Sequence, residues 1–199
     1  MALKVIQWST GNVGHHALRQ IIQNPELELV GLWVHSEDKA GRDAGELAGL
    51  GPVGVAATND TEALMGLGAD CVCYTATADL RPDAAISDMA RMLAAGMNVV
   101  SSSVVPLIYP PHVAPEMRRP LEDACIAGGT SMFTSGIDPG FANDLLPAVL
   151  TGTCEYVERV RVMEIVNYAT YAQPEVLFDT MGFGKPLDAT PMLLVPGVL

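Results

Sequence analysis

Six consecutive residues, Ser9-Thr10-Gly11-Asn12-Val13-Gly14, have types and spacing that point to chemistry. They follow the run Val5-Ile6-Gln7-Trp8 and lead into a segment with Ala17, Leu18, Ile21 and Ile22 at helical spacing. A strand, a glycine turn and a helix in that order offer backbone N–H groups and a positive helix end to an anion. This is the geometry that receives a dinucleotide pyrophosphate. Gly11 and Gly14 let the backbone approach the ligand, and small Ala17 stands at the third-glycine position, where helix packs close to strand. Ser9 replaces the first glycine; it is small enough for the turn and has a hydroxyl to donate. The competing reading is a structural turn, since many strand–helix turns contain two glycines. The setting between a first strand and a first helix favours the cofactor site.

The tip of the second apolar run bears on which dinucleotide is bound. An NAD site places an acid there, roughly 20 residues beyond the glycines, to accept from the ribose hydroxyls. Here the run ends Trp33-Val34-His35-Ser36-Glu37-Asp38-Lys39, and Arg42 follows. A 2'-phosphate calls for cations and hydroxyl donors, with Arg able to grip it in a fork. His35, Ser36, Lys39 and Arg42 favour NADP(H). Glu37 and Asp38 keep NAD(H) open as ribose acceptors, and a solvated charged loop is the plain alternative.

Further polar groups fall at the ends of later strands. Thr75, Ala76 and Thr77 follow one, and Ser101, Ser102 and Ser103 follow another. Small hydroxyl residues there suit contacts to ribose and nicotinamide, although ordinary turn chemistry also selects them. Asp138 in Ser135-Gly136-Ile137-Asp138-Pro139-Gly140-Phe141 lies in a loop bordering the expected crevice. It is a candidate proton carrier or, more plainly, a turn and cap residue. Tyr168 and Tyr171 are further candidates for donating or orienting a proton, or interface aromatics. His15 and His16 open the first helix, where solvent exposure is the simpler reading.

The elements that must position these groups alternate regularly. Strands are expected at 3–8, 27–34, 53–57, 71–76, 98–102 and 130–135, with helices at 12–23, 60–67, 82–95, 113–127 and 141–150. Strands apolar on both faces, separated by helices, imply a parallel sheet covered on each side through right-handed crossovers. The fold class is therefore α/β, a Rossmann-type doubly wound sheet over 1–152. From 153 to 199 the start of a second α/β or α+β domain is expected. Its opening segment, Tyr156 to Tyr168, alternates charged and apolar residues like an antiparallel strand with one wet face. "PEVLFDTMGFGKP" reads as a short helix ending in a glycine-rich turn, and the apolar ending "MLLVPGVL" suggests a domain that begins here and is completed elsewhere.

Composition narrows the function classes. With 49% hydrophobic residues, 17% charged residues and mean hydropathy of +0.27, the chain has ample material for a packed core. A net charge of -12 and a pI near 4.5 argue against a nucleic-acid or anionic-membrane surface. The four cysteines, Cys71, Cys73, Cys125 and Cys154, form no C-x-x-C pair, so reduced thiols and no metal site are expected. Without a signal-peptide layout or an apolar run of ~20 residues, the expected compartment is the cytoplasm.

The motifs "GNVG", "GRDAGELAGL", "NVVSS", "GIDPGFANDLLP" and "MGFGKP" together resemble the 2,4-diaminopentanoate dehydrogenases and native amine dehydrogenases, distant relatives of dihydrodipicolinate reductase. The resemblance covers nearly all of the chain. It implies a Rossmann domain joined to an α/β substrate domain, homodimers, and NAD(P)H-dependent imine reduction or oxidative deamination of a small molecule. Two positions depart from the family. Its amine-active enzymes carry a glutamate just after the "NVVS" strand, where this chain has Val104 and Val105, and they usually have asparagine where Asp138 stands. Valine cannot act in general acid–base catalysis. The expected activity is hydride transfer with a small carbonyl, imine or amine substrate; the alternative is a non-catalytic dinucleotide sensor that has lost the acid.

Overall fold

The computed structural model describes residues 1–78 and 81–195; the end of the apolar terminus, 196–199, lies outside the described residues. Among these, the strands β1 (Leu3–Trp8), β2 (Leu27–Trp33), β3 (Ala57–Thr58), β4 (Cys71–Tyr74), β5 (Asn98–Ser101) and β6 (Met132–Thr134) form one sheet. Every pairing is parallel and the order is β3-β2-β1-β4-β5-β6. The helices are α1 (Asn12–Gln23), α2 (Ala44–Leu47), α3 (Thr61–Met65), α4 (Pro82–Ala94), α5 (Pro115–Gly128) and α6 (Leu146–Thr151). The chain winds outward from β1 through β2 to β3, then returns to build β4, β5 and β6 on the other side. The order thus reverses at β1, and the crevice beyond the carboxyl ends of β1 and β4 is where such sheets bind ligands.

Both faces of the sheet are covered. Ile6, Trp8, Val72, Tyr74 and Val99 pack with Leu64 of α3, with Ile86, Met89 and Leu93 of α4, and with Leu121 of α5. Leu32 and Val34 pack with Leu18 of α1 and with Ala44 and Ala48 around α2. A bulge between Val5 and Ile6 shifts the register, so that Ile6 pairs with Gly31. A Cβ on Gly31 would stand 2.6 Å from Leu64 Cδ2, so the missing side chain is what lets α3 lie against β2.

Between β2 and β3 the chain departs from the expected strand at 53–57. Only Ala57–Thr58 pair with β2, because upstream amides bond to a side chain. Asp43 accepts from Val53 N–H (3.0 Å) and Gly54 N–H (2.7 Å), and also from Gly45 N–H (2.8 Å) at the start of α2. Asp43 with Glu46 three residues on is a helix-start signature readable in the sequence. The N–H of Val53 foremost, with those of Gly54, Gly45 and Glu46, holds the Asp43 carboxyl below its ordinary value against a smaller opposing desolvation. A lowered carboxyl stabilises the fold above its ordinary pKa of about 3.9, and that stability is lost as pH falls through the folded value. Wild type should therefore melt higher than Asp43→Asn near neutrality. The gap should narrow below about pH 4, as followed by thermal denaturation across pH.

The cysteines form no disulfide; Cys154 is exposed, whereas Cys71, Cys73 and Cys125 are partly covered. Burial pushes the Cys73 thiol up to about 11, which keeps it protonated and unreactive.

The chain divides into two compact units, Met1–Pro139 and Gly140–Leu199. The boundary read from composition, after 152, lies further along the chain. A wide helical segment, Ile137–Leu145, starts just before the boundary at Gly140 and runs on into α6. A short helical segment at Val176–Thr180 follows as expected, and the glycine-rich turn after it holds Gly182 (φ 81°) and Gly184 (φ 77°). The expected antiparallel strand from Tyr156 to Tyr168 does not form. A strand needs a neighbour for its backbone groups and a surface for its apolar face, and among the described residues no β-ladder includes this segment. Val157, Val160, Val162 and Ile165 are consequently exposed, Ile165 by 91%.

Candidate dinucleotide-binding site

At the end of β1 the backbone turns at Ser9 with φ 86°, left-handed geometry that normally selects glycine. The serine thus adopts the first glycine's conformation as well as its place. Gln7, fully buried, supports the turn: its Nε2 donates to Ser9 O (2.9 Å) and Thr75 Oγ1 (2.8 Å). Thr75 in turn donates its hydroxyl to Trp8 O at 2.9 Å, tying the ends of β1 and β4 together. A Cβ on Gly14 would lie 2.3 Å from Ser9 O and 2.7 Å from Thr75 Oγ1. Gly14 is therefore a residue at which α1 presses against the turn. Below it, Trp8 and Trp33 stack with centroids 4.9 Å apart and planes 5° apart, and Tyr74 follows at 6.2 Å.

Gly11 occupies the N-cap position of α1, and no side chain caps that helix. A Cβ added at Gly11 would meet only Ser9 Oγ, at 3.9 Å. An uncapped helix start with open space above its glycine suits an anionic ligand, because the first amides have no intrahelical acceptor. Asn12 and Val13 are exposed at this end. His15 is turned aside, its Nδ1 lying 3.3 Å from Leu47 O in α2, and His16 is exposed. These residues fit a dinucleotide pyrophosphate.

The loop after β2 separates its charges. Lys39 Nζ donates to Thr10 Oγ1 at 3.1 Å, which places the ammonium beside the glycine turn. Glu37 Oε1 accepts from Asn59 Nδ2 at 2.9 Å, on the side of β3. Gly41 N–H to Ala57 O (2.7 Å) and Ala57 N–H to Arg42 O (2.8 Å) staple the loop to β3. The Arg42 side chain is exposed, as is His35, while Ser36 is half-buried.

Of the later hydroxyl residues, several serve their own loops. Ser101 Oγ accepts from Ser103 N–H at 2.9 Å, and Ser103 Oγ donates to Ala76 O, joining the ends of β4 and β5. Ser103, one of the strand-end hydroxyl residues, is a buried strut between the two loops. Ala76 is buried, Thr77 is exposed, and Ser102 is half-buried with its N–H donating to Tyr74 O (3.2 Å). Behind them Tyr74 Oη donates to Asp88 Oδ2 (3.1 Å) and accepts from Arg81 Nη2 (3.3 Å), anchoring β4 to α4. Burial, then the Asp88 charge, push the Tyr74 hydroxyl upward, so it stays protonated.

The two valines at the family's acid position differ. Val104 is 7% exposed, packs with Leu107 in the core, and has φ 57°, unusual for a β-branched residue. Val105 is 37% exposed and opens a short 3₁₀ turn, Val105–Ile108. Asp138, exposed, precedes Pro139 across a cis peptide bond. Tyr168 and Tyr171 belong to the second unit, with rings 6.0 Å apart, and Phe183 lies 5.3 Å from Tyr168. Ser9 and Thr75 are thus joined through Gln7 at the switch point, with Gly11 bonded to Ser9 and Lys39 to Thr10, and Ser103 joins Ala76 to Ser101 at the ends of β4 and β5.

Comparison with known proteins agrees with this architecture. Residues 5–103 match the family model "Dihydrodipicolinate reductase, N-terminus". An amine dehydrogenase of Streptomyces virginiae is 41% identical over 197 residues, covering 98% of this chain and 55% of that protein. A 4-hydroxy-tetrahydrodipicolinate reductase of Nostoc punctiforme is 27% identical over 167 residues, 81% of this chain and 56% of that protein. Among solved structures, the amine dehydrogenase of Mycobacterium smegmatis superposes with a TM-score of 0.65 at 25% identity, covering 79% of this chain and 46% of that one. The chain spans just over half the length of the curated relatives it matches.

Proposed function

The chain belongs to the family of amine dehydrogenases and dihydrodipicolinate reductases, and on that ground we propose that it binds NADP(H) for hydride transfer to or from a small carbonyl, imine or amine substrate. The observation that carries this reading is the uncapped start of α1 beneath a turn in which Ser9, Gly14 and Thr75 interlock. When bound, the nicotinamide supplies the hydride chemistry. The protein's own residues bind and orient. The amides at the start of α1 receive the pyrophosphate, Ser102 and Thr77 border the ribose and nicotinamide, and His35, Ser36, Lys39 and Arg42 take the 2'-phosphate. Lys39 already stands at the glycine turn through Thr10, and exposed Arg42 is available to fork a phosphate.

Proton handling falls to Asp138, Tyr168 or Tyr171, since neither Val104 nor Val105 can exchange a proton. We place residues 153–199 in a substrate and dimerisation domain of a cytoplasmic homodimer. The exposed apolar stretch from Val157 to Val166 and the unpaired cysteines support that placement.

Two measurements test the reading. NADPH consumption is followed with a panel of small ketones, with and without ammonia; turnover is expected with at least one. Changing both Lys39→Ala and Arg42→Ala should weaken NADPH far more than NADH. One charge-assisted contact is worth about 1.5–3 kcal/mol, roughly 10- to 150-fold. Equal weakening of the two nucleotides in a binding titration would exclude 2'-phosphate recognition by these side chains.

A further inference from the structure

We infer that Asn59 is a specificity-determining positioning residue: by holding Glu37 toward β3, it keeps the acid of the β2 loop away from the cofactor's ribose and leaves that place to Lys39. The inference rests on the NADP(H) reading above.

The geometry comes from two contacts made by one loop in opposite directions. Asn59 Nδ2 donates to Glu37 Oε1 at 2.9 Å, outside the glycine turn, and Lys39 Nζ reaches Thr10 Oγ1 at 3.1 Å, inside it. The loop between these contacts is not free to rotate. Val34 N–H bonds to Thr58 O (3.0 Å) and Gly41 N–H to Ala57 O (2.7 Å), so both ends of the loop are fixed to β3. A carboxylate at the end of β2 accepts from ribose hydroxyls and repels a 2'-phosphate, whereas a cation there attracts the phosphate. Of the two acids in the loop, Asp38 is exposed, whereas Glu37 has its place set by the side-chain bond from Asn59. Asn59 is itself exposed and lies just past β3, so changing it disturbs no core packing.

The test measures dissociation constants of NADPH and NADH by calorimetry, which needs no substrate. In Asn59→Ala the released Glu37 should lower the preference for NADPH over NADH about 3- to 10-fold, the scale of one modest hydrogen bond. Asn59→Asp, which repels Glu37, should move the ratio the same way. Adding Glu37→Gln to Asn59→Ala should bring the ratio back to that of wild type, which a merely structural role for Asn59 would not do. If wild type prefers NADPH but both Asn59 variants keep its ratio, or if the double variant fails to restore it, the positioning role is overturned and the NADP(H) reading stands. If wild type binds neither nucleotide, or binds both equally, the NADP(H) reading fails and this inference fails with it.

Discussion

A Gly11→Val variant will fold like wild type and lose about 10²- to 10⁴-fold in nucleotide affinity, the worth of two charge-assisted bonds at about 1.5–3 kcal/mol each. The argument depends on where a side chain would go. At Gly11 the added carbon meets only Ser9 Oγ, 3.9 Å away, so the protein itself has nothing to object to. The space it fills is the approach to the first amides of α1, which no side chain caps. At Gly14 the opposite holds, because a Cβ would be driven into the Ser9 carbonyl at 2.3 Å. Gly14→Val should therefore damage the β1–α1 junction itself, with a lowered melting temperature alongside lost binding. The two variants separate ligand access from folding. Undiminished affinity in a folded Gly11→Val would remove the site, and calorimetry with a parallel melting curve decides.

The second large effect concerns the proton. Of Asp138→Asn, Tyr168→Phe and Tyr171→Phe, one should lose about 10²–10⁴-fold in turnover with NADPH affinity intact, the usual contribution of general acid–base catalysis. The valines supply the converse experiment, and the structure distinguishes them. Val105 is 37% exposed, so Val105→Glu can carry its charge in a folded protein. Val104 is 7% exposed within the core, and a carboxylate there would be buried without a partner. Val104→Glu should thus fold poorly. Val105→Glu should fold normally, and amine-linked turnover gained by it would identify a scaffold that lacks only its acid. Steady-state rates with NADPH titrations read both halves; three single variants at wild-type turnover would exclude all three residues.

The doubly wound sheet was legible because its physics is local and repetitive. Buried parallel strands such as Cys71–Tyr74 and amphipathic helices such as Asn12–Gln23 declare themselves by apolar periodicity. The glycine turn was legible from residue type, but the division of labour within it was not. That Ser9 would adopt φ 86°, and that Gly14 would press against the turn, depends on Gln7 and Thr75, the latter far along the chain. Asp43 misled the reading of 53–57 for a related reason, since a carboxylate that collects distant amides turns a strand-like run into a loop. The Tyr156–Tyr168 stretch shows a limit of another kind. Its alternation records what a neighbouring strand would require, and periodicity does not reveal whether that neighbour is within the chain. Proton handling was the least legible, because it depends on which side chains meet the substrate.

The stacked indoles under the glycine turn have an optical consequence. Trp8 and Trp33 are the chain's two tryptophans, and they end the adjacent strands β1 and β2. All tryptophan emission from this protein therefore originates from one pair of parallel rings, 4.9 Å apart, at the switch point of the sheet. Reduced nicotinamide absorbs where indole emits, so a dinucleotide seated here would draw off that light by energy transfer. A dinucleotide bound at this turn would thus be readable without attaching a label.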